Sequence, residues 1–127
     1  MIPENIEELR NKNFNITKYK QAIGSLMYLG LCTRPDILFT VNKASRKSKN
    51  PTYEDWFNLL KVFRYLKRNK NYGIKFNKDN LIRTYVDSDY GGDETKRRST
   101  TGIIILTGTG PVDWHSKLQH IVSSSTA

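Results

Sequence analysis

Apolar residues recur at spacings of three and four along the first half of the chain. Tyr19, Ile23, Leu26, Met27 and Gly30 follow this pattern within "TKYKQAIGSLMYLGL". They form the buried stripe of an amphipathic helix, with Thr17 as its expected N-cap. "TRPD" interrupts the pattern, because Pro35 disfavours helix at Arg34 and suits the first turn of a new one. "PDILFTVNKASRKSK" reads as that second, shorter helix, and "NPT" closes it. The third helix, "TYEDWFNLLKVFRYLKRNK", is the plainest. Thr52 caps it, Glu54 and Asp55 lie in its first turn, and Lys67, Arg68 and Lys70 lie in its last, all matching the helix dipole. Trp56, Leu59, Leu60, Phe63 and Leu66 make its apolar stripe.

After "NYG" the period changes to two. "GIKFN", "LIRTYVD", "TGIIILTG" and "PVDWHSK" each read as a strand, joined by "KDN", "SDYGGDETKRRST" and "TGTG". The expected fold is α+β: a three-helix lobe over residues 17–72, then an antiparallel β-meander over residues 73–127. Residues 1–16 have no sustained period and read as a leader or linker. No internal repeat is present.

Composition narrows the setting. The chain has 127 residues, room for one ordinary domain or two half-sized pieces. No apolar run reaches eighteen residues, so no membrane span is expected. "MIPENIEELRNKN" lacks the cationic and apolar regions of a signal peptide. A single cysteine, Cys32, fits a reducing intracellular compartment, cytoplasmic or nuclear. It follows "SLMYLGL" and is expected to be a small buried hydrophobe. Charge is divided unevenly. Residues 1–80 hold 16 Lys and Arg against 7 Asp and Glu, which accounts for the whole net charge of +9, while residues 81–127 hold five of each. A basic lobe beside a neutral one points to a polyanionic partner, nucleic acid above all.

Two places could carry chemistry. On the third helix, Lys61, Arg64 and Arg68 form a cationic stripe, and Phe57 lies at the same wheel angle. The ring either stacks on a nucleic-acid base or is half-buried beneath Lys and Arg stems. On the second expected strand, Arg83, Tyr85, Asp87 and Asp89 share one face. The two carboxylates have alpha carbons roughly 6.5–7 Å apart. They read either as a polar strand end before a Gly-Gly turn or as part of a metal site. A pair alone is a weak magnesium site, and a two-metal centre needs acids from other elements. His115 and His120, with one distant cysteine, make no zinc set. Ser123, Ser124 and Ser125 have no His–Asp arrangement, and no phosphate-binding glycine loop is present.

Three segments in series carry a family resemblance that spans residues 17–127. "YKQAIGSLMYLGLCTRPDILFTVNKASR" resembles the segment after the polymerase palm in copia-class retrotransposon Pol proteins. "NPTYEDWFNLLKVFRYLKRNKNYGIKF" looks like the helix that follows there, and "YVDSDYGGDETKRRSTTGIIILTGTGPVDWHSKLQHIVSSSTA" is similar to the opening of the family's ribonuclease H domain. The resemblance implies a reverse-transcriptase thumb-like lobe that grips primer–template, then the first strands of a ribonuclease H-like sheet. It implies Mg²⁺ as the family's cofactor and an RNA–DNA hybrid as its substrate. It makes Asp87 the counterpart of the first-strand metal ligand, with Asp89 also inside the motif. It gives Trp114, Ser116, Lys117 and Gln119, in "W-x-S-K-x-Q", a structural part.

The catalytic Glu of the following helix, the later Asp ligands and the polymerase aspartates have no counterpart in the chain. The expectation is therefore a truncated Pol fragment that binds nucleic acid, with a vestigial Asp87 and a weak Asp87–Asp89 pair that does not hold Mg²⁺ stably. The alternatives are a hybrid-directed ribonuclease H completed by another chain, or an inert remnant or interaction module. Self-association through the exposed sheet is a further expectation.

Overall fold

The computed structural model describes residues 15–78, 81–92 and 97–122. The chain is an α+β protein of two compact units, Met1–Gly73 and Ile74–Ala127. Most of the expected leader, residues 1–14, lies outside the described residues.

The first unit contains α1 (Ile16–Cys32), α2 (Pro35–Ser45) and α3 (Tyr53–Arg68). The cap of α1 is Asn15 rather than Thr17: the Asn15 side chain accepts the Thr17 N–H at 2.7 Å. An Asn side chain reaches the second helical amide directly, so the helix starts two residues earlier than the apolar period alone indicates. Helix α2 begins with Pro35 at its first position and stops at Ser45, short of the expected Lys49. Residues 46–49 continue as turns, because "RKSK" offers the core no apolar side chain to bury. Helix α3 opens with a capping box. Thr52 Oγ1 accepts the Asp55 N–H at 3.2 Å, and Asp55 Oδ2 accepts the Thr52 N–H at 2.8 Å.

The three helices enclose one core. Tyr19, Leu26, Val41 and Leu59 are its fully buried members, with Ile23, Ile37 and Val62 beside them. Trp56, Phe63 and Leu66 pack on it from α3. The Tyr19 ring meets Trp56 at a 59° tilt, and its hydroxyl donates to the Ala44 carbonyl at 2.8 Å. A buried phenol needs such an acceptor. Burial, with Asp55 nearby, pushes the Tyr19 pKa up to about 12. Cys32 is exposed, contrary to the sequence expectation. It lies two residues past Gly30, the last buried position of α1, which puts it about 200° around the helix and off the buried stripe.

The second unit is a three-stranded antiparallel sheet in the order β1-β2-β3: Ile82–Asp89, Thr100–Thr107 and Gly110–Leu118. "GIKFN" does not form the first of the four expected strands. It bonds the β2–β3 turn instead. Thr109 donates its N–H to Asn77 Oδ1 at 3.1 Å and its hydroxyl to the Lys75 carbonyl at 3.0 Å. Phe76 lies against Gly110, where any side chain would run into the ring. The Lys75 carbonyl is thereby taken up by the Thr109 hydroxyl rather than by a ladder partner. The register places Asp87 opposite Gly102 and Gly102 opposite Ser116, while Tyr85, Ile104 and Trp114 form the neighbouring row on that face. A register shift falls between Ile105 and Leu106. Every residue of β1 is exposed.

Candidate nucleic-acid face and acidic strand

Phe57, Lys61, Arg64 and Arg68 recur every three or four residues along α3, so they share one face. The structure brings the first three together. Lys61 Nζ lies 4.9 Å from the Phe57 ring centroid, and the Arg64 guanidinium carbon lies 5.3 Å from it. Both are cation–π distances. Phe57 is half-buried, with both cations over its ring. Asn58 Oδ1 accepts from Lys61 Nζ at 2.9 Å. Arg64 is half-buried, and its Nη2 is shielded from solvent without a hydrogen-bond partner. Arg68 stands one turn further along, exposed. A groove of about 550 Å³ opens beside Lys61 between α2 and α3, with Ile37, Thr40, Val62 and Tyr65 in its walls.

"TRPD" builds more than the helix break expected of it. Arg34 is 7% exposed. Its Nη2 lies 2.7 Å from Asp36 Oδ2, its Nε donates to Asp36 Oδ1 at 3.0 Å, and its Nη1 donates to the Asn69 carbonyl at 3.1 Å. Tyr65 donates its hydroxyl to Asp36 Oδ2 at 2.9 Å. The guanidinium also lies over the Tyr65 and Tyr72 rings at 5.8 and 6.0 Å. The Arg34 hydrogen bonds hold the Asp36 carboxyl below its ordinary range, and Asp36 in turn raises the Tyr65 pKa. The available signal was an Arg and an Asp flanking a proline at a helix start, a spacing suited to a fork-on-carboxylate pair.

On the acidic strand, Asp87 and Asp89 fall on one face, as the alternation requires, yet their side chains do different things. Asp87 Oδ1 accepts the adjacent Ser88 N–H at 2.8 Å. Asp89 Oδ1 accepts the Thr100 N–H at 2.6 Å, binding the start of β2 to the end of β1. Gly92 packs against the Asp89 carboxylate with no room for a side chain. Gly91, at φ +60, makes the turn and donates its N–H to Ser99 Oγ at 3.2 Å. Among the described residues, no group of three or more His, Cys, Asp or Glu could hold a metal ion. At the same end of the sheet, Gln119 donates its N–H to the Ser99 carbonyl at 2.8 Å and its side chain to Thr101 Oγ1 at 2.9 Å. His115 Nε2 lies 3.2 Å from Asp113 Oδ2, and both are exposed. No helix among the described residues is long and apolar enough to cross a membrane.

Three sequence relatives align with most of the chain. The chain is 38% identical over 127 residues to the retrovirus-related Pol polyprotein from transposon TNT 1-94 of Nicotiana tabacum, covering 99% of this chain and 9% of that protein. It is 41% identical over 113 residues to the corresponding polyprotein from transposon RE1 of Arabidopsis thaliana, covering 87% of this chain and 8% of that protein. It is also 36% identical over 110 residues to the secreted RxLR effector protein 161 of Plasmopara viticola, covering 85% of this chain and 78% of that protein. No family model and no solved structure matches it. The chain belongs to the copia-like family of retrovirus-related transposon Pol polyproteins and spans less than a tenth of the length of those Pol relatives.

Proposed function

We propose that this chain is a Pol segment that binds nucleic acid through the Lys61, Arg64 and Arg68 face of α3, with an RNA–DNA hybrid as the favoured partner. The observation that carries the reading is the triple-cation face itself. Two of its members rest on the Phe57 ring, which fixes where their charges stand before any ligand arrives. Phe57 then acts from beneath, as a platform for the cations rather than a stacking surface for a base. The helical unit corresponds to a thumb-like lobe and the sheet to the first strands of a ribonuclease H-like domain. The exposed sheet is where copies of the chain associate. The test is a titration of the whole chain against a labelled hybrid. Replacing Lys61, Arg64 and Arg68 together by Ala should remove most of the affinity. Equal binding by both proteins rejects the reading.

A second reading, hybrid cleavage completed by another chain that supplies the missing acids, draws on one feature. The exposed Asp87 faces Gly102, so no side chain on the neighbouring strand covers its carboxylate. Hybrid cleavage that vanishes in Asp87→Asn would support it. Equal cleavage, or none, by the two proteins when each is mixed with a chain that supplies the missing acids would reject it.

A further inference from the structure

Among the described residues, β1 is an outer strand of the sheet, and the pattern of its outward edge suits a second copy of itself. Gly108 donates its N–H to the Leu81 carbonyl at 2.9 Å, in line with the register that sets Ile82 opposite Thr107. In an antiparallel ladder such pairs alternate, so residues 81, 83, 85, 87 and 89 turn their main-chain groups toward β2. Residues 82, 84, 86 and 88 therefore turn theirs to the open edge. Within that edge, Ser88 N–H is held by the neighbouring Asp87 carboxylate. All eight residues of the strand are exposed, and Ile82, Tyr85 and Val86 are each more than half exposed. A long exposed edge carrying apolar side chains templates pairing with another strand.

We propose that two copies of this chain pair antiparallel along β1, with Tyr85 at the two-fold axis, to form one sheet running through both. This deepens the self-association reading given above by naming the edge, the register and the charges. The charge pattern selects the register. Centred on Tyr85, the pairing sets Arg83 of each copy opposite Asp87 of the other, on the same face, and the two Tyr85 rings beside each other. These are non-hydrogen-bonded positions, where alpha carbons approach to about 4.5 Å and side chains meet most closely. The hydrogen-bonded positions are then Thr84 with Val86 and Ile82 with Ser88, the residues whose groups face outward. Asp87 exchanges its own-chain amide for the partner's guanidinium, which frees Ser88 N–H for the Ile82 carbonyl across the axis. Centring two residues further along would oppose Asp87 to itself. Asp89 is less suited as the acid, because Thr100 N–H already holds it.

The test measures the mass of the full chain in solution by sedimentation over a range of concentrations. The native chain should show a monomer–dimer equilibrium. Arg83→Asp sets two like-charged pairs across the axis, as does Asp87→Arg. Each should raise the dimer dissociation constant about tenfold or more. The mixture decides the matter. Arg83→Asp chains and Asp87→Arg chains complement each other at both pairs, so an equimolar mixture should form heterodimers where neither variant dimerises alone. Thr84→Pro, which removes an outward amide and leaves the β2 ladder intact, should also give monomers. Circular dichroism on each variant confirms folding. A dimer indifferent to all three substitutions would overturn the edge register while leaving association through a sheet face standing. A native chain that stays monomeric at every concentration would overturn both.

Discussion

Arg34 and Asp36 hold each other across the corner between α1 and α2, a guanidinium nitrogen 2.7 Å from a carboxylate oxygen, and the same Arg34 reaches forward to the carbonyl of Asn69. One buried side chain thus joins the corner of the lobe to the end of its last helix. Arg34→Ala leaves Asp36 without its fork partner and the Asn69 carbonyl without its donor. The expected loss is roughly 2–3 kcal/mol, at the lower end for a broken buried pair because Asp36 is about one-third exposed. Urea unfolding followed by Trp fluorescence measures it. Arg34→Lys should recover little, since a point charge cannot reproduce the fork.

Acid should act through the same pair. The Asp36 carboxyl is held below its ordinary value of 3.8, so the unfolded chain takes up its proton first as pH falls. The stabilisation is whole above pH 3.8 and is lost as pH drops through the lower folded value. Urea midpoints of the native protein and Asp36→Asn should therefore differ at neutral pH and converge in acid. Parallel curves would exclude Asp36 as the group responsible.

At the alkaline end the sign reverses. Tyr19 ionises near 12 in the fold and near 10.0 in the unfolded chain. Its contribution is whole below pH 10 and is lost as pH rises toward 12. Tyr19→Phe should cost about 1 kcal/mol at neutral pH, through the bond to the Ala44 carbonyl, and should soften the alkaline decline. Stability measured across pH 9–12 for the two proteins separates these effects.

The basic face predicts a salt dependence. Three phosphate contacts give a slope near −2.7 in log affinity against log salt for duplex DNA, about a 40-fold loss over a fourfold rise in salt. The Lys61, Arg64, Arg68→Ala protein should show a much flatter line. An unchanged slope would move the interface elsewhere on the lobe.

The two strand carboxylates should separate under mutation. Asp89→Ala removes the acceptor of the Thr100 amide and should destabilise the sheet by about 1–3 kcal/mol. Within a single chain Asp87→Ala loses an exposed bond to its neighbour and should cost under about 1 kcal/mol. Thermal unfolding of each variant gives the comparison.

The helices were legible because their stripes are regular. Tyr19, Ile23, Leu26 and Gly30 are buried as their spacing requires, and Thr52 caps α3 as its position before Glu54 and Asp55 indicates. What escaped depended on partners distant in sequence. Nothing local tells Phe76 to lie on Gly110, so "GIKFN" looked like a strand. Nothing local brings Arg34 to Asn69, thirty-five residues away. Cys32 misled because an apolar run extends past the buried stripe. The cation face was visible from the helical wheel, whereas the position of Phe57 beneath it needed three side chains placed at once.

The junction built on Arg34 also bears on how the lobe would survive a cut. A nick in the turn over residues 46–51, between α2 and α3, severs the chain but spares every bond that ties α3 to the earlier corner. Arg34 to Asn69 and Tyr65 to Asp36 both cross the break, and the shared core does the same. The two pieces would stay together as one particle. The lobe is thus a natural candidate for a split reporter, reassembled from halves that meet at Arg34, Asp36 and the shared core.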